Sequence, residues 1–397
     1  MKKQCILVGI IFILITVGLS GCVDTTENDK IDVYAPPPSR FNSNMIGQSQ
    51  IELTWIKDGN ATHTIIEWNN VESWKRGEGI ELYNDRGNRY IHTGLKRNTT
   101  YYYQAWSYNE TTGLWSETYA FARATIQEGF FVCLSGEKNF TSIQQAIDAA
   151  PQNYAIFVCS GIYYERLIIN KTIFLLGENP ETTIIDAQKV GRGIEIKDGA
   201  SCIISGFTIQ NSGSNAPGIE MRTSNTIISN NIIKNTFTGI SFFDANHNYV
   251  SNNTFIDNSM YAMYIRSASD HNQIHNNLFE DNNYGIRISG SQFNVVFKNN
   301  FVNNSRGILV CCGARSNEAY HNNFLKTSEY AISDTVETFG RNLFYNAKIR
   351  QGNYYDDYRI KYPDAQQING VWDIPYQIAG SANNQDAYPM VFLVNKD

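Results

Sequence analysis

Charge is scarce in this chain. Only 18% of its 397 residues are Asp, Glu, Lys or Arg, and 32 basic against 38 acidic residues leave a net charge of −6. No basic stripe is present to neutralise phosphates, which excludes nucleic acid as the partner. Long apolar runs are equally rare. The single one, Ile6 to Leu19, falls short of a comfortable helical span and excludes a polytopic membrane protein. No two cysteines stand in the CxxC spacing of a zinc or redox site. What the chain does have is 42% hydrophobic residues, 24 Tyr, 21 Phe and 29 Gly, enough for two or three domains with ordinary cores. A polar, Tyr-rich, weakly charged chain reads as an exported β protein, for which sugar is a more natural partner than nucleotide.

Lys2 and Lys3 precede the apolar run and Leu19-Ser20-Gly21-Cys22 closes it, the order of a secretory signal. Those four residues resemble the lipobox of prokaryotic lipoproteins. The resemblance implies cleavage before Cys22, lipid on its sulfur, and a chain tethered to the bilayer outside the cytoplasm. A plain signal peptide ending in Cys, or an uncleaved anchor, is the alternative. Residues 23–34 read as a polar tether. Beyond Cys5 and Cys22 stand Cys133, Cys159, Cys202, Cys311 and Cys312, an odd set that cannot all pair within one chain. Cys133 and Cys159 end two similar apolar runs, so they are either bridged across neighbouring strands or packed as free thiols. The vicinal Cys311-Cys312 fits no pattern of this kind. Asn-x-Ser/Thr triplets at Asn60, Asn98, Asn109, Asn139, Asn170, Asn252 and Asn303 are in keeping with export.

Residues 35–127 show short alternating strands at regular spacing: Ile51-Glu52-Leu53-Thr54-Trp55, Thr62 to Trp68, and Arg89-Tyr90-Ile91-His92. Period-two alternation with frequent turns predicts a β-sandwich. The leading Pro36-Pro37-Pro38, Trp55, and Gly94-Leu95-Lys96-Arg97-Asn98-Thr99-Thr100-Tyr101 resemble a fibronectin type III domain. That resemblance implies a spacer or protein-binding module in which the Tyr101 hydroxyl returns to backbone a few residues upstream. Asn70 to Asn88, rich in Gly and charge, departs from the family.

From residue 129 to 397 the sequence repeats. An Asn-Asn pair recurs at 230, 252, 276, 299 and 322, at intervals of 22, 24, 23 and 23. Gly-Ile or Ala-apolar pairs recur in step, at Gly193, Gly218, Gly239, Ala262, Gly285, Gly307 and Ala331. A period in the twenties means a solenoid. Counting from each pair, Ile228, Val250, Ile274, Phe297 and Tyr320 form one core column, and Ile233, Phe255, Phe279, Val302 and Leu325 another. The alternation after each Gly is that of strand, and Leu is too scarce for a leucine-rich repeat. A parallel β-helix follows, its corner Asn side chains stacked across the ~4.8 Å strand spacing. Which Asn of each pair points inward stays open. The region resembles the right-handed pectin-lyase-like β-helix, in particular its NosD-like branch. Phe140 to Pro151 resembles that branch's amphipathic capping helix, and Gly352-Asn353-Tyr354-Tyr355-Asp356-Asp357-Tyr358 with Asp373-Ile374-Pro375-Tyr376 its closing segment. The fold class expected is all-β: a fibronectin type III sandwich followed by a single-stranded right-handed parallel β-helix. The resemblance implies polysaccharide binding or processing, or assistance in copper-site maturation.

Strand residues after each Gly-Ile should form outward ladders. Among them Glu220, Arg222, Phe243, Tyr264, Arg266 and Arg287 are candidate ligand-binding residues, offering flat faces and forked donors to a sugar chain or acidic glycan. A solvated sheet face with cross-strand ion pairs is the plain alternative. Asp257 and Asp281 lie one coil apart and, with Arg266 and Arg287, are the candidate catalytic set for a lyase or glycoside hydrolase; the pair also suits calcium, or simple turn chemistry. His247 and His271 are candidate copper or zinc ligands, or substitutes for Asn in a corner ladder. Asp364, Asn369 and Asp373, with Gln366 and Gln367 between them, form a degenerate calcium-like stretch. The opening resembles pectin methylesterases, yet their Gly-Phe-Gln-Asp-Thr signature is missing, as is a trio of acids for a pectate lyase. The expected function is thus a membrane-anchored, extracytoplasmic protein whose solenoid binds polysaccharide or a glycoprotein. Its other partners are the bilayer through Cys22 and a surface protein through the sandwich. A polysaccharide lyase or hydrolase and a copper-handling protein are the alternatives.

Overall fold

The computed structural model describes residues 35–47, 49–57, 60–126, 128–334 and 340–394. The signal segment, Cys22 and the tether lie outside the described residues. The first unit is a β-sandwich. Strands Ser39–Gly47, Gln50–Ile56 and Arg89–His92 pair antiparallel in one sheet. Ile80–Asp85, His63–Asn69 and Thr99–Asn109 form the other, with Leu114–Trp115 and Ala120–Ile126 along the outer edge of Thr99–Asn109. The strand Ile80–Asp85 occupies the segment that composition left unassigned. Its weak alternation reflects an edge position with little to bury. Leu53, Trp55, Ile66 and Tyr103 fill the space between the sheets. The Lys96 N–H donates to the Tyr101 hydroxyl at 2.8 Å, the return contact expected of a corner tyrosine.

A helix, Ile143–Ala149, caps the solenoid and buries Ile143, Ala146 and Ile147 over the first coil. The Glu165 carboxylate accepts from the Ser142 hydroxyl and from the Ile143 and Gln144 N–H groups, satisfying donors that a helix start leaves free. Each coil then lays down three strands, so three parallel sheets run the length of the unit. The first sheet runs from Gly129–Val132 to Glu318–Tyr320, the second from Gly161–Tyr163 to Tyr354–Tyr355, and the third from Leu167–Ile169 to Glu329–Ser333. Cys133 and Cys159 are bridged, with Cα atoms 5.1 Å apart.

Inside, amide side chains form continuous ladders. Asn231, Asn253, Asn277, Asn299, Asn322 and Asn353 are linked in series, each amide donating to the next carbonyl oxygen at 2.9–3.1 Å. Asn248, Asn272, Asn294, Asn317 and Asn342 make a second ladder, and Asn258, Asn282 and Asn304 a third. The inward Asn is therefore the second of its pair at 231, 253 and 277 but the first at 299 and 322. The repeat count slipped by one residue there, because an outward Lys298 and His321 replace the first Asn. Val296 and Ala319 consequently face the core where Phe297 and Tyr320 were expected, and Phe301 and Phe324 where Val302 and Leu325 were. The corrected column is a ring stack, Phe255–Phe279–Phe301–Phe324–Tyr355, with centroids 4.8–5.4 Å apart. Gly285 and Gly307 lie against it: a Cβ on Gly307 would meet the Tyr330 carbonyl at 2.3 Å and the Phe324 ring at 2.7 Å.

The sandwich packs onto the first sheet instead of standing off as a spacer. Phe41 and Met45 share a core cluster with Ala155, Phe157 and Leu176. Arg40 stacks over Phe297 at 4.1 Å, Arg97 over Phe131 at 5.3 Å, and the Asn230 amide donates to Glu52 at 2.9 Å. Ile46 and Leu176 line a crevice of about 340 Å³ between the units. Leu176 and Phe297 stand five coils apart in one ladder, about 24 Å, so strand Ser39–Gly47 runs along the solenoid axis. Among the described residues, no helix is long and apolar enough to cross a membrane.

Candidate ligand-binding face

The third sheet carries the predicted ladders in the predicted register. Glu195, Glu220, Ser241, Tyr264, Arg287 and Leu309 are cross-strand neighbours in one column. Phe243, Arg266, Ser289 and Cys311 follow in a second. A third column, which alternation after each Gly did not single out, adds Thr238, Tyr261, Tyr284, Arg306 and Glu329. Thr238, Tyr284 and Arg306 each stand just before a Gly, ahead of the alternation that begins after it.

Together these columns build an alternating strip of cations and rings. Arg222 and Arg266 flank the Phe243 ring at 4.7 and 5.2 Å. Arg266 also lies over Tyr264 at 5.4 Å, and Arg287 over Tyr264 and Tyr261 at 5.0 and 5.5 Å. Arg306 covers Tyr284 at 4.9 Å and donates to its hydroxyl at 3.0 Å. Each stacking contact contributes on the order of 0.5–1 kcal/mol at an exposed site and fixes a flexible guanidinium in place. Carboxylates sit only at the two ends. Glu220 is clamped by Arg192 and Arg222, Glu195 holds Lys197, and Glu329 holds Arg306. In the middle, Arg266 and Arg287 have no carboxylate partner among the described residues, and the Nε of each is buried without an acceptor. A depression of about 450 Å³ opens at the N-terminal end of the strip, lined by Tyr164, Arg166, Ile168, Gln188, Arg192 and Glu195.

The candidate catalytic set is not brought together. Asp257 and Asp281 are exposed corner residues with φ of +53° and +57°. Asp281 accepts from the Asn303 amide at 2.5 Å. Both precede the strands of the third sheet, whereas Arg266 ends its strand at the opposite edge, across six strand residues. Asp and Asn tolerate the left-handed conformation, and that demand explains the two acids.

His247 and His271 also occupy left-handed corners, at φ +56° and +58°. Their rings stack face to face at 5.0 Å, and His271 stacks on Phe293 at 4.9 Å. Their column is Asn225, His247, His271, Phe293 and Ser316, one residue before the inward amide ladder of Asn248 and Asn272, so the two histidines do not stand in for ladder amides. In the tail, the Asp373 carboxylate accepts the Gln366 N–H at 2.7 Å, and the Gln366 side-chain amide donates to the backbone carbonyl of Asp364 at 3.0 Å, so Asp373 is engaged in turn geometry.

The family described as periplasmic copper-binding protein (NosD) matches residues 147–360, more than half of the chain. The chain belongs to the NosD family. Two plant proteins of Arabidopsis thaliana also match: "Pectinesterase 4", 31% identical over 89 residues, and "Probable pectinesterase/pectinesterase inhibitor 6", 29% identical over 108. This NosD-family chain spans only 15% and 19% of their lengths. Among solved structures, a family 28 exopolygalacturonase of Yersinia enterocolitica aligns over 80% of this chain and 85% of its own, with 13% identity and a TM-score of 0.48. An Fn3-like protein of Clostridium thermocellum aligns over 24% of this chain and 94% of its own, with 16% identity and a TM-score of 0.20.

The family description raises copper, and the donors of this NosD-family chain do not gather for it. No group of three or more His, Cys, Asp or Glu suited to a metal occurs among the described residues. The paired histidines stack in parallel, so their nitrogens do not converge, and the next side chain in the column is Phe293. His275 and His321 are turned to other uses. His275 packs on Phe297 at 4.8 Å under the sandwich, and His321 contacts Gln351 at 2.6 Å. Burial, with Arg40 and Lys298 nearby, pushes His275 down to about 3.

Proposed function

We propose that this protein is an extracytoplasmic, membrane-anchored binder of anionic polysaccharide, holding the polymer along the third sheet. The observation that carries this reading is the run of stacked guanidinium groups and rings from Arg222 to Arg306, whose central cations, Arg266 and Arg287, have no carboxylate partner among the described residues. Rings pack against the apolar faces of pyranose units, and guanidinium forks accept carboxylates in pairs. The repeat of the strip, about 4.8 Å per coil, presents these groups at regular intervals to a regular polymer. The pectin-directed names of the plant relatives point to the same ligand chemistry. The Cys133–Cys159 bridge and the signal-like N-terminus support an oxidising, exported location. Catalysis has less support, since the acids near the strip are clamped by arginines or lie at its far edge.

The test is binding of a polyuronate by the chain from Val23 onward. Arg266→Ala with Arg287→Ala should weaken binding by roughly tenfold to a hundredfold, the worth of one or two charge-assisted hydrogen bonds. Carboxyl-reduced polymer should bind the two proteins alike. Undiminished binding by the double variant would refute the assignment. For the anchor, Cys22→Ser should move the protein from the membrane to the soluble fraction.

A further inference from the structure

At the edge of the strip, and sharing Arg287 with it, the chain carries a cysteine pair that polymer binding leaves unexplained. Cys311 ends the strand Arg306–Cys311 in register with Ser289 and is buried, whereas Cys312 begins the following turn and is exposed. Their sulfurs stand 2.9 Å apart, and the Arg287 guanidinium reaches the Cys312 sulfur at 3.8 Å. We infer that Cys311 and Cys312 form a redox-active vicinal dithiol that reduces low-molecular-weight disulfides, with Cys312 as the attacking thiol and Cys311 as the resolving one.

The two sulfurs are not equivalent, and the difference assigns their roles. The hydrogen bond with Cys311, together with Ser289 and Arg287, holds the Cys312 thiol below its usual range, while burial raises that of Cys311. An exposed thiol whose thiolate form a neighbouring cation favours, beside a buried thiol that holds its proton more tightly, is the arrangement that thiol–disulfide exchange requires. Cys202 shows the contrast: it is buried, and burial pushes its thiol up to about 12. Cys312 and Gly313 have φ of +58° and +81°, and Cys312 lies past the last paired position of its strand.

In the first step the Cys312 thiolate attacks one sulfur of a disulfide RSSR, forming a mixed disulfide and expelling RS⁻. Cys311 then loses its proton to that thiolate, and its sulfur attacks the Cys312 sulfur, expelling the second RS⁻, which solvent protonates. Two thiols and RSSR become one vicinal disulfide and two RSH, with two electrons passing from the protein to the small molecule. Adjacent Cα atoms are about 3.8 Å apart, closer than the ~4.4 Å lower end for ordinary bridges. Closing this ring is therefore less favourable than closing an ordinary bridge, so the oxidation is driven by an excess of RSSR.

The experiment treats the chain from Val23 onward with glutathione disulfide and follows intact and peptide mass. The wild type should lose two hydrogens on the peptide holding Cys311 and Cys312 and release two glutathiones per chain. Cys311→Ser should stall with glutathione on Cys312. Cys312→Ser, a change at an exposed position, should react at least roughly tenfold more slowly. The midpoint of Cys312 alkylation against pH should lie below the ordinary thiol value of about 8.5 and rise in Arg287→Gln. A stable glutathione adduct on the wild type without ring closure, equal reaction in Cys312→Ser, or an ordinary alkylation midpoint would each overturn the assignment.

Discussion

At Asn277 a single side chain closes the hydrogen bonding of three coils. Its oxygen accepts the Asn253 N–H and amide at 2.9 and 3.1 Å, and its amide donates to the Val250, His275 and Asn299 oxygens at 2.9–3.0 Å. Leucine is close in size but leaves those buried groups unpaired, so Asn277→Leu should cost about 3 kcal/mol or more, read from the urea midpoint. The corner acids contrast with it. Because Asp257 and Asp281 answer a backbone demand, Asp257→Asn with Asp281→Asn should change stability by less than about 0.5 kcal/mol and leave polymer binding intact. A loss of binding would restore the acids to the site. Those corners also explain the limits of the sequence reading. Residue type alone does not separate a left-handed corner from an inward ladder when Asn serves in both, and His247, Asp257 and Lys298 reveal the corner only once φ is known.

Among the elements, the Asn pairs and Gly-Ile pairs announced a solenoid of the right period, and the outward columns of the third sheet were legible because strand alternation is strict after each Gly. The core columns were legible only as far as residue 279. The interval between inward Asn residues is 22 from 277 to 299, and the pair at 299 begins one residue later in the coil, which placed Phe301 and Phe324 on the wrong face. Their stack is now the clearest packing feature of the solenoid. Phe301→Ala should cost about 3–5 kcal/mol, measured by thermal or denaturant unfolding. Gly307→Ala should destabilise as well, since its new methyl group would meet backbone that cannot yield.

At the scale of the whole molecule, the sandwich and the strip divide the solenoid between them. Sequence reading found both units but not their contact, because Phe131, Phe157 and Leu176 look like core residues whether a sheet face is covered by side chains of its own unit or by another unit. The contact carries a pH signature. His275 is neutral in the folded protein down to about 3, whereas an unfolded histidine takes up its proton near 6.5. The unfolded state therefore binds more protons between those values, so this contribution is complete above 6.5 and is lost as pH falls toward 3. His92, lowered by burial to about 4, acts in the same direction. His275→Phe should flatten, without abolishing, the fall in unfolding midpoint between pH 7 and 4.

The most direct test of the central claim is hydrogen exchange on the chain from Val23 onward, with and without saturating polyuronate. The account predicts new protection on Thr238–Phe243, Tyr261–Arg266 and Tyr284–Ser289, diminishing with added salt. Protection confined to the sandwich or to the His247–His271 corner, or none despite binding, would contradict it.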